Sequence, residues 1–154
     1  MATMIDGESY LGRVLMRPLS QSGDIRLYLW PLRCLKSKMG GPTFGIDVKG
    51  EEIIRYDPHG PRGHWHKGGY DKLGPGGSHQ EFPEGVVDTP AQLTWALAHF
   101  RAHGQQMLTE AGHPAEAVTL DPTMVEAALA DLVTHLDKEG DLRPQAIARG
   151  VLMA

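Results

Sequence analysis

The sequence predicts an α+β domain in which an antiparallel four-stranded meander is packed by two C-terminal helices. Three observations predict it. Up to Asp57, apolar residues recur with a two-residue alternation, the mark of half-buried strands. From Thr89 onward they recur at three- and four-residue spacing, the mark of amphipathic helices. Between the two lies a stretch rich in glycine and histidine that fits neither pattern. The 154 residues suit one domain with its own core. It divides into a sheet (1–57), a Gly/His-rich loop (58–88), helices (89–140) and a tail (141–154).

The first strand, 9–17, carries Leu11, Val14, Leu15 and Met16 and stops at Pro18. The second, 25–33, sets Ile25, Leu27 and Leu29 against Arg26, Tyr28 and Trp30, so both of its faces are partly covered. A basic, glycine-containing connection (36–42) leads to the third, 43–48, where Phe44, Ile46 and Val48 alternate with Thr43, Gly45 and Asp47. Lys49-Gly50 supplies a tight turn, and the fourth strand returns through Ile53, Ile54 and Tyr56. The first helix, 89–111, opens with Thr89 as cap, Pro90 in the first turn and Gln92 completing a capping box. Leu93, Ala96, Leu97, Phe100, Met107 and Leu108 form its stripe, and Gly112 and Pro114 end it. The second helix opens at Asp121-Pro122, runs along Val125, Leu129, Leu132, Val133 and Leu136, and ends at Gly140. The tail supplies one more helical turn lying on a neighbouring surface.

Composition narrows the class. The lone cysteine, Cys34, excludes an internal disulfide and is read as a small buried strand residue. No apolar run reaches the roughly 18–20 residues of a membrane span, and the first residues lack a signal-peptide pattern, so no membrane partner and a cytoplasmic location are expected. Net charge is −4, which argues against a generic nucleic-acid coat. The charge is divided: residues 1–80 carry 11 Lys/Arg against 8 Asp/Glu, residues 81–154 carry 4 against 11. No P-loop, dinucleotide-binding glycine motif or serine nucleophile elbow occurs.

The chemistry-bearing residues concentrate in 56–79, with four histidines, one arginine, two lysines, two tyrosines and seven glycines. A long connection of this kind is a working loop or a disordered one, and its aromatic and paired imidazole side chains favour work. Three readings stay open. In the first, His59, His64 and His66 exchange protons near neutral pH, Arg62 and Lys67 hold a phosphate, backbone N–H groups form an anion nest, and Trp65 or Tyr70 stacks a base. In the second, His64 and His66, two apart on an extended segment, point the same way and bind zinc or another divalent metal. A third ligand then comes from Asp57, His59 or His79. In the third, the histidines satisfy turns and Trp65 packs on the sheet. His99, His103, His113 and His135 lie on or beside the helices and are expected to face solvent or cap.

The run Ile53-Ile54-Arg55-Tyr56-Asp57, then His59, then His64-Trp65-His66, then a capped helix, resembles the TumE-like toxins of bacterial toxin–antitoxin modules over roughly residues 15–108. The resemblance implies a small toxin acting on nucleic acid or translation, a helix-turn-helix antitoxin partner, and Tyr56, Asp57, His59, His64 and His66 as the working residues. The glycine loop 68–79 is longer than in that family, and the acidic helix 121–140 has no counterpart there. The leading expectation is therefore a ribonuclease acting on RNA without a metal, with no cofactor favoured. The alternatives are a His-ligated metal enzyme and a non-enzymatic interaction or inhibitor protein that engages a basic partner through its acidic helices. A homodimer is a further partner state that the chain allows.

Overall fold

The computed structural model describes residues 1–2 and 8–154, and Glu8 by its backbone alone. The α+β class and the antiparallel pairing hold, but among the described residues the sheet has seven strands and five helices accompany it. The strands are β1 (Glu8–Leu11), β2 (Leu15–Pro18), β3 (Ile25–Leu35), β4 (Met39–Val48), β5 (Glu51–Asp57), β6 (His64–Lys67) and β7 (His79–Gln80). The helices are α1 (Tyr70–Ser78), α2 (Thr89–Glu110), α3 (Pro114–Ala117), α4 (Pro122–Glu139) and α5 (Arg143–Ala148). Strand order is β1-β3-β4-β5-β6-β7, with β2 also paired to β3.

The four-stranded meander needs correction at both ends. The expected first strand is two, laid end to end along β3, with Leu11 opposite Leu32 and Leu15 opposite Leu29. Pro31 lies opposite the break and has no N–H to offer a ladder. Gly12 turns the chain there with φ +86°, and a Cβ on it would stand 2.9 Å from Pro31. At the other end, the expected loop 58–88 is largely ordered, because β6, α1 and β7 all fall inside it.

The helices follow the predicted stripes closely. Ala96, Phe100, Met107 and Leu108 of α2 and Val125, Leu129 and Leu132 of α4 pack on Leu27, Leu29, Phe44, Ile46, Ile54, Tyr56 and Trp65 of one sheet face. Val133 departs from its stripe and is exposed. The cap of α2 is Asp88, whose carboxylate accepts from Ala91 N at 2.8 Å, so Thr89 is the first helical residue and not the cap. Asp121 caps α4 and Gly140 ends it, as expected. The tail forms α5 and docks Leu142, Ala146 and Leu152 on Leu11, Leu32 and Cys34, burying the cysteine. Among the described residues no helix is long and apolar enough to cross a membrane.

The opposite sheet face carries polar side chains. Two cross-strand rows cover it, one running Trp30–Thr43–Asp57–His64 and the other Tyr28–Gly45–Arg55–His66–His79. The helix α1 lies against β5 and β6 and bounds these rows.

Candidate metal centre

Alternation along the short strand β6 sorts the predicted site residues between the two faces of the sheet. His64 and His66 project onto the polar face, while Trp65 and Lys67 project toward the helices. Antiparallel pairing then sets Asp57 beside His64 and Arg55 beside His66. Asp57 is 1% exposed, His66 is 4% exposed and His64 is half-buried. His64 Nε2 lies 3.4 Å and His66 Nε2 3.8 Å from the same carboxylate oxygen, Asp57 Oδ2.

The hydrogen bonds behind the two rings decide what those nitrogens are. His64 Nδ1 lies 3.0 Å from the carbonyl oxygen of Arg62, which can only accept, so Nδ1 carries the proton. His66 Nδ1 lies 2.9 Å from Ser78 Oγ, and that hydroxyl donates its own proton to Gly74 O at 2.7 Å. The hydroxyl must therefore accept from His66, and again Nδ1 is the protonated nitrogen. In its neutral form each ring, with Nδ1 protonated, presents the Nε2 lone pair to a carboxylate oxygen. The donor atoms of Asp57, His64 and His66 all lie within 4.8 Å of one another. Three acceptors facing inward, each oriented by a partner behind it, are the donor set of a divalent metal site.

The protonation states agree. Burial pulls His66 down to about 4, with Asp57 pulling the other way. Burial works against the charge on Asp57, yet His59, Arg33, His64 and Arg55 outweigh it and hold the carboxyl at about 2. Thr43 Oγ1 donates to Asp57 Oδ1 at 2.6 Å and Arg33 reaches the same oxygen at 3.4 Å, which leaves Oδ2 for the histidines. His66 is thus neutral and Asp57 anionic at neutral pH.

The remaining predicted residues divide. His59 is buried behind the carboxylate, with Nε2 3.9 Å from Asp57 Oδ1 and 2.9 Å from Pro42 O. Its ring occupies the space over Gly41, where a Cβ would stand 2.7 Å from Cδ2. Burial lowers it to about 4 as well. His79 is exposed on the cleft wall, its ring centroid 5.0 Å from that of His64, and its Nε2 is turned to Glu81 at 2.7 Å. It stands beside the three donors, outside the group of atoms that lie within 4.8 Å of one another. Tyr70 covers Arg55, with the guanidinium 4.1 Å from the ring centroid, and meets His66 edge-on. Arg62 is exposed and faces a different depression.

Tyr56, Trp65 and Lys67 are on the far side of the sheet. Tyr56 is fully buried, its hydroxyl 2.9 Å from His99 Nδ1, and burial raises its pKa. Trp65 stacks on Tyr56 and meets His99 edge-on, while Lys67 pairs with Glu110 at 3.1 Å. His99, expected at the solvent face, instead stacks on Trp95 with centroids 4.4 Å apart.

The cleft over the three donors has a volume of about 180 Å³ and is lined by Arg33, Arg55, Tyr70 and His79 besides the donors themselves. Two residues that matter here carry no sequence signal of their role. Ser78 fixes the tautomer of His66. Gln92, read as half of a capping box, instead clamps the loop before β6: its amide accepts from Gly60 N at 2.9 Å and donates to Gly60 O at 2.8 Å. Gly63 makes room for that amide, since a Cβ there would fall 2.2 Å from Gln92 Oε1.

Compared with known protein families, with curated proteins and with solved structures, the chain matches none.

Proposed function

We propose that this protein is a metal-dependent hydrolase of phosphodiester bonds in RNA, with Asp57, His64 and His66 holding one divalent ion. The observation that carries the reading is the convergence of two imidazole lone pairs on one anionic oxygen, with both tautomers set from behind. With both rings neutral, those three acceptors repel one another unless a cation joins them. Three protein ligands leave coordination positions open toward the cleft, the arrangement of a catalytic rather than a structural site. An ion held by Asp57, His64 and His66 would supply a Lewis acid able to acidify a water. Hydrolysis would place a water oxygen on phosphorus, break the P–O bond to one ribose oxygen and leave that oxygen with a proton from the water.

A metal-free proton shuttle finds no acid in His59 or His66, each held at about 4, and would need His64 for that role. Arg33 and Arg55 line the cleft, buried and paired with Asp57 at 3.4 Å and with Glu52 at 2.8 Å. The resemblance to TumE-like toxins supports RNA as the substrate and a helix-turn-helix antitoxin as the partner that restrains the protein.

The test joins elemental analysis of the purified protein with cleavage of end-labelled RNA. Cleavage is expected to stop in chelator and return with about one equivalent of a single divalent ion. Undiminished cleavage in chelator would sink the proposal.

A further inference from the structure

A second depression, of about 220 Å³, opens on the other side of the loop that follows β5. It is lined by Lys38, Met39, Gly40, His59, Pro61, Arg62 and Arg143, with no carboxylate among them. Its three cations come from three distant segments: the turn between β3 and β4, the loop 58–63, and α5. The third is delivered by tertiary structure. The tail docks beside the turn, where Met153 N donates to Ser37 O at 2.8 Å, and the Arg143 guanidinium donates to Gly40 O at 2.7 Å. Asp141, two residues away, turns a carboxylate oxygen to the backbone N–H of Arg143.

Elsewhere Arg17 pairs with Asp131, Lys49 with Glu116, Lys67 with Glu110 and Arg101 with Glu126, while Arg13, Arg26, Lys36, Lys72, Lys138 and Arg149 stand without an ion pair among the described residues. Lys38, Arg62 and Arg143 form no ion pair among the described residues, although the chain as a whole is acidic. Three like charges gathered at one concavity repel unless an anion joins them. The depression also adjoins the metal centre. His59 lines it and lies 3.9 Å from Asp57 Oδ1, and the carbonyl of Arg62 holds His64.

We infer that this depression binds a backbone phosphate of a nucleic-acid strand, flanking the phosphate at the metal centre, through Lys38, Arg62 and Arg143. The inference rests on the reading above for what lies at the neighbouring centre, but strand binding itself needs no turnover. It makes the substrate a polyanionic strand and not a mononucleotide, since a single phosphate cannot reach both places.

The experiment is fluorescence anisotropy of a labelled single-stranded oligoribonucleotide with the full chain in chelator, across a salt series. Lys38→Glu/Arg62→Glu is compared with Lys138→Glu/Arg149→Glu, which changes net charge equally at exposed positions elsewhere. The first pair is expected to weaken binding about tenfold or more and to flatten the log–log salt slope by about 0.7, the loss of one phosphate contact on a single strand. The second pair is expected to leave both unchanged. Equal effects of the two pairs would overturn the inference, as would displacement of the RNA by polyglutamate as readily as by unlabelled RNA. A chain that binds RNA through this depression yet never cleaves it would refute the hydrolase reading alone. A chain that cleaves and is indifferent to Lys38 and Arg62 would refute the subsite alone.

Discussion

Ser78→Ala tests the tautomer argument at its narrowest point. The hydroxyl is fully buried and donates to Gly74 O, so it accepts from His66 Nδ1–H. Removing it leaves the imidazole two choices. It keeps its proton on Nδ1, where a buried donor without a partner costs about 1–3 kcal/mol. Otherwise it moves the proton to Nε2, which then points an N–H toward Asp57 Oδ2, 3.8 Å away, and withdraws the lone pair from the centre. Both routes weaken a metal that needs Nε2 bare. Loss of such an outer partner lowers metal affinity by about 10- to 100-fold, or about 1.4–2.7 kcal/mol. The assay is a zinc titration against a competing chelator, with long-range nitrogen–proton NMR of the metal-free protein reporting which ring nitrogen carries the proton. Ser78→Thr keeps the hydroxyl and is expected to restore most of the affinity. Unaltered zinc affinity and an unaltered tautomer in Ser78→Ala would refute the reasoning.

Four further outcomes follow from the same structure. His64→Ala, at a half-buried position, is expected to cost ~100-fold or more in zinc affinity while the melting temperature of the metal-free protein holds; a melting temperature that collapses would make His64 a structural residue. Stability is expected to fall as pH drops from about 6.5 through 4, because the unfolded chain binds protons that the folded chain refuses at His59, held at about 4. His59 alone accounts for on the order of 3 kcal/mol, His66 and His99 act in the same direction, and Asp57, at about 2, adds its loss only below about pH 4. Urea unfolding at several pH values reads this slope, and a flat profile across that window contradicts it. Gln92→Ala strips both backbone groups of Gly60 of their partners and is expected to cost about 2–4 kcal/mol, seen as a lower urea midpoint. Asp88→Ala removes the α2 cap for about 1 kcal/mol and lowers the melting temperature by about 2–4 °C without touching zinc affinity.

Legibility in the sequence followed the range of the interactions. The stripes of α2 and α4 were readable because a 3.6-residue period is a local property, and the same holds for the hairpin at Lys49-Gly50. The spacing of His64 and His66 correctly put both imidazoles on one face, and Asp57 was among the third ligands weighed for them. That same alternation sends Trp65 and Lys67 to the helix side, away from the imidazoles. The segment 58–88 read as a loop because its glycines and prolines hide elements that tertiary pairing creates. The strand β6 is four residues long and exists only because β5 offers it a ladder. Ser78 and Gln92 act over 12 and 32 residues respectively, and no periodicity encodes such a distance.

The placement of Arg33 shows how a single irregularity determines the site. From Tyr28 and Trp30 a regular alternation would carry Leu32 and Cys34 onto the polar face beside Asp57. The register of β3 against β4 instead shifts between Trp30 and Arg33. That extra residue inverts the alternation, so Leu32 and Cys34 turn to α5 and Arg33 turns to the carboxylate. The bulge therefore makes two linked choices. It withdraws the thiol from the centre, where it would compete as a metal ligand, and it supplies the guanidinium that helps keep Asp57 ionised in a buried position. A two-histidine, one-carboxylate centre over a sheet face thus depends on a register shift two strands away from the histidines themselves.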